Sequence, residues 1–387
     1  MTLSRDARRR TARGVVVASA AVAAVLGSVG SLSPAAVAHE RHGHATRLAF
    51  RGEAALPAGA TFAGTTVGGL SSITYDRRRD VYYALSDDQV GARFYTLRID
   101  VADGALQPGD VTVLGVTTLR GPDGQPFPAG SLDPEGLALT KRRTLIVTTE
   151  GFALPGKQIA PFIREFNLDG SPIRDFAVPS AFEPVVDSHG VRNNLGLESA
   201  AVTPDGRSLF TGGENALVQD GPAASLTSGS RSRLLRYDVR SGQLQRQYVY
   251  DNAPVVKPPS PAGAFTVSGL VELLPFDRLR LLSMERSFSV GAGNSIKLYD
   301  VSLDGATDVG TVDDLQAVPG LRPVRKRLAF DLATLGLTLD NLEGMTLGPR
   351  LRGGKRALVI ASDNNFMPGQ VSQFLLFSVE GGRGHCD

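Results

Sequence analysis

The sequence feature that most constrains the fold is a short motif that recurs five times along the chain. Its clearest copy is Asn341-Leu342-Glu343-Gly344-Met345. The other copies are Gly69-Leu70-Ser71-Ser72-Ile73, Asp133-Pro134-Glu135-Gly136-Leu137, Gly196-Leu197-Glu198-Ser199-Ala200 and Gly269-Leu270-Val271-Glu272. Each copy precedes a short apolar run, a turn and a second strand-like run that ends in an acidic residue. Such a repeat indicates an architecture in which similar units pack against one another.

The repeats consist of strand-length runs that are separated by turn residues. The chain has 44 glycines and 23 prolines, which interrupt these runs. With Leu70, Pro134, Leu197, Leu270 and Leu342 as equivalent positions, the successive intervals are 64, 63, 73 and 72 residues. We therefore predict an all-β chain that forms a β-propeller of five or six blades around a central channel. Two packed β-sandwiches are the alternative fold, but they would not explain the repeated acidic residue.

The segments between and before the repeats complete this prediction. Residues 46–56 have strand character, and their position before the first repeat suits a strand that closes the last blade. Residues 111–119, 175–179 and 245–250 suit outer strands. Residues 328–339 are the best candidate for a helix, with a loop of one turn as the alternative.

The first residues have the pattern of an export signal. Five arginines precede an apolar run at residues 15–26, and Ala36-Val37-Ala38 fits a small-residue cleavage site. We predict a signal peptide at residues 1–38, a flexible tail at 39–45 that contains three histidines, and one propeller domain at 46–387. A retained membrane anchor is the weaker interpretation because the apolar run is short. The arginines also leave twin-arginine export open.

Charge and cysteine content narrow the class of protein further. Cleavage after residue 38 removes five arginines and Asp6, which changes the formal net charge from +2 to −2. No general basic field for nucleic acid remains. The single cysteine, Cys386, excludes a disulfide framework, and no cysteine follows the leader to carry a lipid. We expect a freely secreted monomer without membrane attachment.

Superposed repeats give two rows of acidic residues. At the start of the first strand the row contains Ser71, Glu135, Glu198, Val271 and Glu343, with Glu272 one place along. At the end of the second strand it contains Asp87, Glu150, Glu214, Glu285 and Asp363. Because the innermost strands of a propeller surround its channel, both rows are expected at one mouth of the channel.

Crowded carboxylates raise one another's pKa unless a cation neutralises them. Calcium is the cation that best suits oxygen ligands in irregular geometry outside the cell. Zinc or copper is less suitable, since only His189 and His385 lie outside the tail. The alternative is structural: the acidic residues cap turns or pair with Arg93, Arg164, Arg233, Arg286 and Lys297.

Other catalytic motifs have little support. Residues 151–157 match most of a phosphate-binding loop, but Gln158 replaces the Ser or Thr that binds magnesium, and Pro161 opposes the required helix. No Gly-x-Ser-x-Gly elbow is present. His189 is expected in a surface loop, from which it could also act as an acid.

The motifs resemble those of the secreted phytase-like family, described as having esterase-like activity of phytase. The resemblance extends over about residues 65–380, and its most specific parts are Leu85-Ser86-Asp87-Asp88, Glu150-Gly151, Asn194-Leu195 and Ser362-Asp363-Asn364-Asn365, together with the repeated motifs themselves.

The resemblance implies a propeller that hydrolyses phosphoesters with the help of calcium. Asp87, Glu150, Glu214, Glu285 and Asp363 would then be metal ligands, and Glu135, Glu198 and Glu343 would be the catalytic carboxylates. Arg93, Arg233 and Arg286 would hold the phosphate of a small-molecule substrate. Two other functions remain open: a calcium-dependent lactonase or carboxylesterase, and a secreted propeller without catalysis that binds a glycan, peptide or protein.

Overall fold

The computed structural model describes residues 45–380. The predicted signal peptide, all but the last residue of the predicted tail, and Cys386 lie outside the described residues. Within the described part, the only helices are four short 3-10 turns, and the remaining regular structure is β-strand. None of the helices there has the length and apolar character needed to cross a membrane.

The strands form five antiparallel four-stranded sheets, which we call blades 1 to 5 in chain order. Blade 1 contains β4 (Leu70–Asp76), β5 (Val81–Ser86), β6 (Arg93–Ile99) and β7 (Val111–Thr118). Blade 2 contains β8 (Pro134–Leu139), β9 (Leu145–Thr149), β12 (Ile163–Phe166) and β13 (Pro172–Phe176). Blade 3 contains β14 (Ala201–Val202), β15 (Ser208–Gly212), β16 (Arg231–Asp238) and β17 (Leu244–Asp251). Blade 4 contains β18 (Thr266–Pro275), β19 (Arg280–Ser289), β20 (Gly293–Ser302) and β21 (Arg325–Asp331). Blade 5 contains β22 (Asn341–Arg350), β23 (Arg356–Asp363), β24 (Ser372–Glu380) and β1 (Arg47–Leu56). The predicted β-propeller is confirmed, with five blades.

The remaining elements are small. Two hairpins lie outside the blades: β2 (Thr61–Phe62) with β3 (Thr65–Thr66), and β10 (Phe152–Leu154) with β11 (Lys157–Ile159). The 3-10 turns are Ser180–Phe182, Val218–Asp220, Leu315–Ala317 and Leu332–Leu335.

The ring is closed by the N-terminal strand, as predicted. β1 pairs antiparallel with β24, from Arg47 opposite Glu380 to Leu56 opposite Ser372. Because the two ends of the propeller share one sheet, closure uses main-chain hydrogen bonds and leaves no open blade.

Hydrophobic side chains fill the spaces between neighbouring blades. Blades 1 and 2, for example, bury Tyr83, Phe94, Leu137, Val147 and Phe166 between them. Similar clusters join each remaining pair of adjacent blades. Full burial of one such side chain contributes about 1.5–3 kcal/mol, so these five cores fix the blades around the channel.

The innermost strands are β4, β8, β14, β18 and β22. One buried hydrogen bond crosses the channel that they surround: the Ser72 hydroxyl in blade 1 donates to Glu272 in blade 4 at 2.9 Å. The Leu273 amide also donates to Glu272 at 2.9 Å. Burial raises the pKa of Glu272 well above its usual range, and its carboxyl group links blades 1 and 4.

Two local expectations change in the structure. Residues 328–339 do not form a regular helix, because β21 continues to Asp331 and only one 3-10 turn follows. Pairing of β21 with β20 outweighs the helical pattern there. The segment that resembles a phosphate-binding loop forms the β10–β11 hairpin, which is consistent with the rejection of that motif.

Candidate metal centre and adjoining cleft

The repeated motif places an irregularity in the inner strands. The β4–β5 ladder skips Ser71, the β18–β19 ladder skips Val271, and the β22–β23 ladder skips Glu343. In blade 2 the register shifts between Pro134 and Leu137, where Glu135 lies. A skipped residue leaves the regular alternation of faces, so these bulges explain how the acids of the first row face the mouth.

The strand register defines the second row. The residue opposite the first position of the motif is Asp363 in blade 5, since it pairs with Asn341. Asp87, Glu150 and Glu214 occupy the same place, because their amides donate to the carbonyls of Gly69, Asp133 and Gly196 at 2.8, 3.0 and 2.8 Å.

In blade 4 this place belongs to Arg286, which pairs with Gly269. The sequence superposition was therefore wrong by one residue in the fourth repeat.

Glu285, predicted as a metal ligand, lies away from the other acids of its row. It pairs with Leu270, and its carboxylate accepts hydrogen bonds from the Tyr250 hydroxyl at 2.7 Å and from Lys326. The Ala253 amide donates to the same carboxylate at 3.1 Å. Glu285 therefore connects blades 3 and 4 with its charge compensated.

The glycines of the motif allow these acids to approach the next blade. A Cβ on Gly196 would lie 2.2 Å from the carbonyl oxygen of Glu150, and a Cβ on Gly269 would lie 2.4 Å from Cγ of Glu214. A side chain at either place would displace the acid of the preceding blade, so these two copies of the motif require glycine for packing.

Two groups of three carboxylates lie close enough to share a cation. Oxygens of Asp133, Glu135 and Glu150 lie within 4.8 Å of one another, and so do oxygens of Glu150, Glu198 and Glu214. All five residues are buried. Glu150 belongs to both groups and joins them into one buried acidic site.

Glu150 has one unused oxygen. Its Oε1 accepts a hydrogen bond from the Gly196 amide at 3.0 Å, whereas Oε2 is buried and receives no N–H or hydroxyl donor from the described residues. The Glu198 carboxyl lies close enough to share a proton with Glu150. An ion or a shared proton can therefore satisfy the carboxylate pair.

Arg286 is a cation inside the ring of acids. Its Nη2 lies 3.1 Å from Glu214 Oε1, and its Nη1 lies 3.2 Å from Glu343 Oε1. Nη1 also donates to Asn341. Burial alone would lower the pKa of Arg286, but the charges of Glu343, Glu214 and Glu198 outweigh this effect and raise it. The arginine therefore remains charged.

The pKa values of the acids reflect burial first and mutual repulsion second. Burial raises the pKa of Glu150 to about 7 and that of Glu343 to about 8. It also raises the pKa of Glu135 and Glu198 well above the usual range, with further increases from neighbouring acids. Arg286 partly opposes the increase at Glu343. Without a cation, this site retains protons at neutral pH.

Three further acids of the mouth follow the same rule. Burial and the charges of Asp363 and Glu343 raise the pKa of Asp87 well above its usual range. Burial raises the pKa of Asp133 to about 6, against a hydrogen bond from Gln89. It raises the pKa of Asp363 to about 6 as well, against donation from the Asn365 amide.

Arg93 and Arg233, predicted to hold substrate, are occupied by structural contacts. The Arg233 side chain is 0% exposed and forms a bidentate ion pair with Asp220 at 2.6 and 2.7 Å. Arg93 pairs with Asp88 and donates to the Thr66 carbonyl at 2.8 Å. Of the three predicted arginines, the structure brings Arg286 alone to the acidic mouth.

The structural alternative, in which basic residues neutralise the acids, holds for part of the second row. Four of the five basic residues pair with acids outside the two rows: Arg93 with Asp88, Arg164 with Asp175, Arg233 with Asp220 and Lys297 with Asp331. Arg286 compensates Glu214 and Glu343, and Lys326 compensates Glu285. Among the described residues, Glu135, Glu150 and Glu198 form no such ion pair, so basic side chains do not explain their burial.

Two residues of the site were missed as site residues in the sequence. Asp133 and Asn341 both occupy the first position of the motif, opposite Glu150 and Asp363. Asn341 donates to Glu343 at 2.9 Å and to Asp363 at 3.2 Å. The signal was present, since a polar residue replaces glycine at this position in these two copies.

A cleft of about 1020 Å³ opens beside this site over blades 3, 4 and 5. Glu214, Arg286 and Asn341 belong both to its lining and to the acidic mouth. Apolar side chains, among them Phe265 and Met367, line another part of the cleft. The cleft thus connects an apolar surface with the carboxylates.

Comparison with known proteins gives the family. A family profile described as "Phytase-like: Esterase-like activity of phytase" matches residues 65–366. The chain therefore belongs to this phytase-like family. No curated protein matches the sequence significantly.

Several solved structures share a general similarity. An endo-arabinase from Bacteroides thetaiotaomicron is 13% identical over 85% of this chain and 96% of its own, with a TM-score of 0.44. The periplasmic gluconolactonase of Pseudomonas aeruginosa is 15% identical over 82% of this chain and 87% of its own, with a TM-score of 0.33. A glycoside hydrolase, described as putative, from Bacteroides ovatus is 12% identical over 79% and 84%, with a TM-score of 0.36. At these values the similarity carries no information on activity, and the fold rests on the strand pairing.

Proposed function

We propose that the protein is a calcium-dependent hydrolase of esters, with phosphomonoesters as the first substrate class. The observation that carries the proposal is the pair of buried carboxylate triads that share Glu150. Membership of the phytase-like family supports hydrolysis as the reaction.

The donor set fits calcium. The two triads together supply carboxylate oxygens from five residues: Asp133, Glu135, Glu150, Glu198 and Glu214. Calcium takes six to eight oxygen ligands and accepts irregular geometry, whereas zinc prefers nitrogen and sulfur. Glu150 Oε2 is buried without a donor, which is the state expected of an oxygen that a cation satisfies.

A bound calcium would neutralise the substrate oxygens and make a bound water more acidic. The residues around the triads would then accept the proton of the water and orient the substrate. Glu343 lies outside both triads, and Arg286 and Asn341 hold its carboxylate in place. When a bound cation keeps it ionised, Glu343 would accept a proton from the attacking water.

Arg286 has the position for the phosphate or carbonyl oxygen of the substrate. Arg286 lines the cleft, and its Nε donates no hydrogen bond within the described residues. A guanidinium edge can donate two parallel hydrogen bonds to a phosphate. Arg286 therefore orients the reacting group between the carboxylates and the cleft.

A second candidate, hydrolysis of carboxylic esters or lactones, is favoured by the apolar part of the cleft. Activated water attacks an acyl carbon as well as phosphorus, and the lining supplies one cationic side chain among the described residues. A propeller that binds a glycan, peptide or protein without catalysis is the remaining alternative.

The test measures calcium binding and hydrolysis in the same samples. Wild-type protein, Glu150→Gln and Glu198→Gln are titrated with calcium by calorimetry and assayed with aryl phosphates and aryl esters. Asp304→Asn is the control, since Asp304 lies in the turn after β20, its side chain is 77% exposed and it pairs with Arg325. We expect both triad variants to lose calcium binding and hydrolysis, and the control to keep both.

Two results would contradict the proposal. Hydrolysis that persists in excess chelator would exclude the calcium mechanism. Calcium-loaded protein that hydrolyses neither class of ester would leave the non-catalytic binding propeller as the better explanation.

We further propose that the protein acts outside the cell as a monomer on a small-molecule substrate, without nucleic acid or membrane partners. The export pattern of the first 38 residues and the net charge after its removal support this placement. N-terminal sequencing of the protein from culture medium would test the cleavage after Ala38.

A further inference from the structure

The cleft beside the carboxylates has an apolar wall. This wall is formed by Phe265, Val267, Phe288, Leu339 and Met367. The Phe265 side chain is 65% exposed and Met367 is 56% exposed. The ring centroids of Phe265 and Phe288 lie 6.3 Å apart. Two aromatic rings at this distance form a surface on which a flat or apolar group can pack.

The same cleft is poor in positive charge. Arg286 is the one cationic side chain among its described lining residues, and it already compensates Glu214 and Glu343. Asp340 and Glu214 add negative charge. A substrate with many phosphate groups needs several arginines or lysines to balance it, so this cleft opposes such a substrate.

The remaining polar lining is mostly amide, and much of it is internally bonded. Asn365 donates to Gln370, and Gln370 donates to Asp340 at 2.6 Å. Asn215 donates to the Ser268 carbonyl at 2.9 Å. These bonds fix the shape of the cleft and leave the apolar wall as its main free surface.

The size of the cleft suits one small molecule. Pockets for small ligands usually measure about 300–1,000 Å³, and this cleft of about 1020 Å³ lies at the upper end. It is continuous with the acidic mouth through Arg286. A ligand can therefore place its reacting group at the carboxylates and its body against the apolar wall.

We propose that the cleft selects esters of an apolar or aromatic alcohol that carry at most one anionic group, and that Phe265 and Met367 determine this specificity. The proposal rests on the proposed ester hydrolysis and narrows its substrate. Polyphosphorylated polyols such as inositol hexakisphosphate are excluded from efficient turnover by the charge of the lining.

The experiment compares substrates that share one reacting group. The calcium-loaded full-length protein is assayed with 1-naphthyl phosphate, methyl phosphate and inositol hexakisphosphate, and in a second arm with 1-naphthyl acetate and methyl acetate. The two arms distinguish phosphate esters from carboxylic esters. The variants are Phe265→Ala, Phe265→Leu and Met367→Ala. Ile173→Ala is the control, because Ile173 is an exposed apolar residue on β13 of blade 2.

We expect kcat/KM for the naphthyl ester over the methyl ester to fall about tenfold in Phe265→Ala, mainly through KM. Phe265→Leu should lose less, and Ile173→Ala should match the wild type. Because both cleft residues are largely exposed, their truncation should leave the fold intact, which thermal unfolding checks. An unchanged naphthyl-to-methyl ratio in Phe265→Ala, or equal turnover of inositol hexakisphosphate and naphthyl phosphate, would overturn the proposal.

A binding measurement separates this proposal from the proposed reaction. The chain has no tryptophan, so the fluorescence of 1-naphthylphosphonate, which is not hydrolysed, can be followed with little protein background. If no ester is turned over but this probe binds and Phe265→Ala weakens its binding about tenfold, the proposed reaction fails and the cleft specificity stands. If the probe does not bind to calcium-loaded protein, the cleft specificity fails as well.

Discussion

Two parts of the mouth use the same positions of the repeat in different ways. We call the part formed by blades 2 and 3 the acidic half. It contains four crowded carboxylates that form no ion pair with a basic residue in the described part of the chain: Asp133, Glu135, Glu150 and Glu198. In the part formed by blades 4 and 5, which we call the compensated half, Arg286 neutralises Glu343 and reaches back to Glu214. One half contains its own cation, whereas the other has no basic side chain paired with its acids among the described residues.

The difference shows how a repeat protein obtains an asymmetric site. Radial repetition alone would give a ring of equivalent acids. A single basic residue at the blade 4 position divides the ring into a half whose acids have no basic partner among the described residues and a half in which Arg286 compensates them. The cleft opens beside the compensated half, where Arg286 lies.

The largest effect is expected from Arg286→Met. Removing this cation leaves Glu214 and Glu343 buried without a counter-charge, which typically costs about 3–5 kcal/mol. Urea unfolding with calcium present measures the loss. Arg327→Met is the matched control, because Arg327 is 60% exposed and pairs with Asp300 on the surface. Equal losses for the two variants would show that the compensated half does not depend on Arg286.

Calcium removal should destabilise the acidic half, and more strongly as the pH rises. Glu150 and Glu343, with pKa values of about 7 and about 8, retain protons in the folded chain that the unfolded chain releases near pH 4. Stability of the chelated protein therefore falls as the pH increases from about 4 to about 8.

Calcium at 100 times its Kd should restore about 3 kcal/mol at pH 8. Thermal unfolding at pH 5 and pH 8, with calcium or with chelator, measures both effects. A chelated protein that is more stable at pH 8 than at pH 5 would contradict the raised pKa values.

Glu285→Gln tests whether this acid belongs to either half. The substitution removes the charged partner of Lys326 and weakens the bond from Tyr250, at a cost of about 1–3 kcal/mol. Calcium affinity should remain that of the wild type, because Glu285 belongs to neither triad and its carboxylate is bound by Tyr250, Ala253 and Lys326. A large loss of calcium affinity, measured by calorimetry, would show that Glu285 is a calcium ligand after all.

The smallest effect is expected from Glu150→Gln in chelator, and its sign is the informative part. At pH 8, above the pKa of about 7 of Glu150, removing this charge from the crowded acids should stabilise the chelated protein by about 1 kcal/mol. Glu343→Gln should instead destabilise it, since Arg286 loses a partner. The same unfolding experiment compares the two variants, and equal signs would remove the distinction between the halves.

The pattern of the chain was sufficient to predict much of the fold. The propeller, the outer strands near residues 111–119 and 245–250, and the closing strand follow from runs and turns that are close in sequence. The convergence of Glu135, Glu150, Glu198 and Glu214 followed from the repeat, because equivalent positions meet at the channel.

The details of the site were harder to predict from the sequence. In β4, β8, β18 and β22 a bulge decides which residue faces the mouth, and it arises from pairing between strands rather than from local sequence. Glu285 was assigned the place that Arg286 occupies because it is the adjacent acidic residue, and only strand pairing shows that Arg286 lies opposite Gly269. Arg93 and Arg233 looked available as cations, but their partners Asp88 and Asp220 become evident only after folding.

The sequence by itself determined a five-fold repeat, a strand that closes the ring and an acidic mouth, since these depend on spacing along the chain. The tertiary structure alone decided that Glu150 joins two triads, that Arg286 compensates one half of the mouth, and that an apolar cleft opens beside it. The physical reason is that charge compensation and cleft shape depend on distances between side chains of different blades, which strand register and packing set.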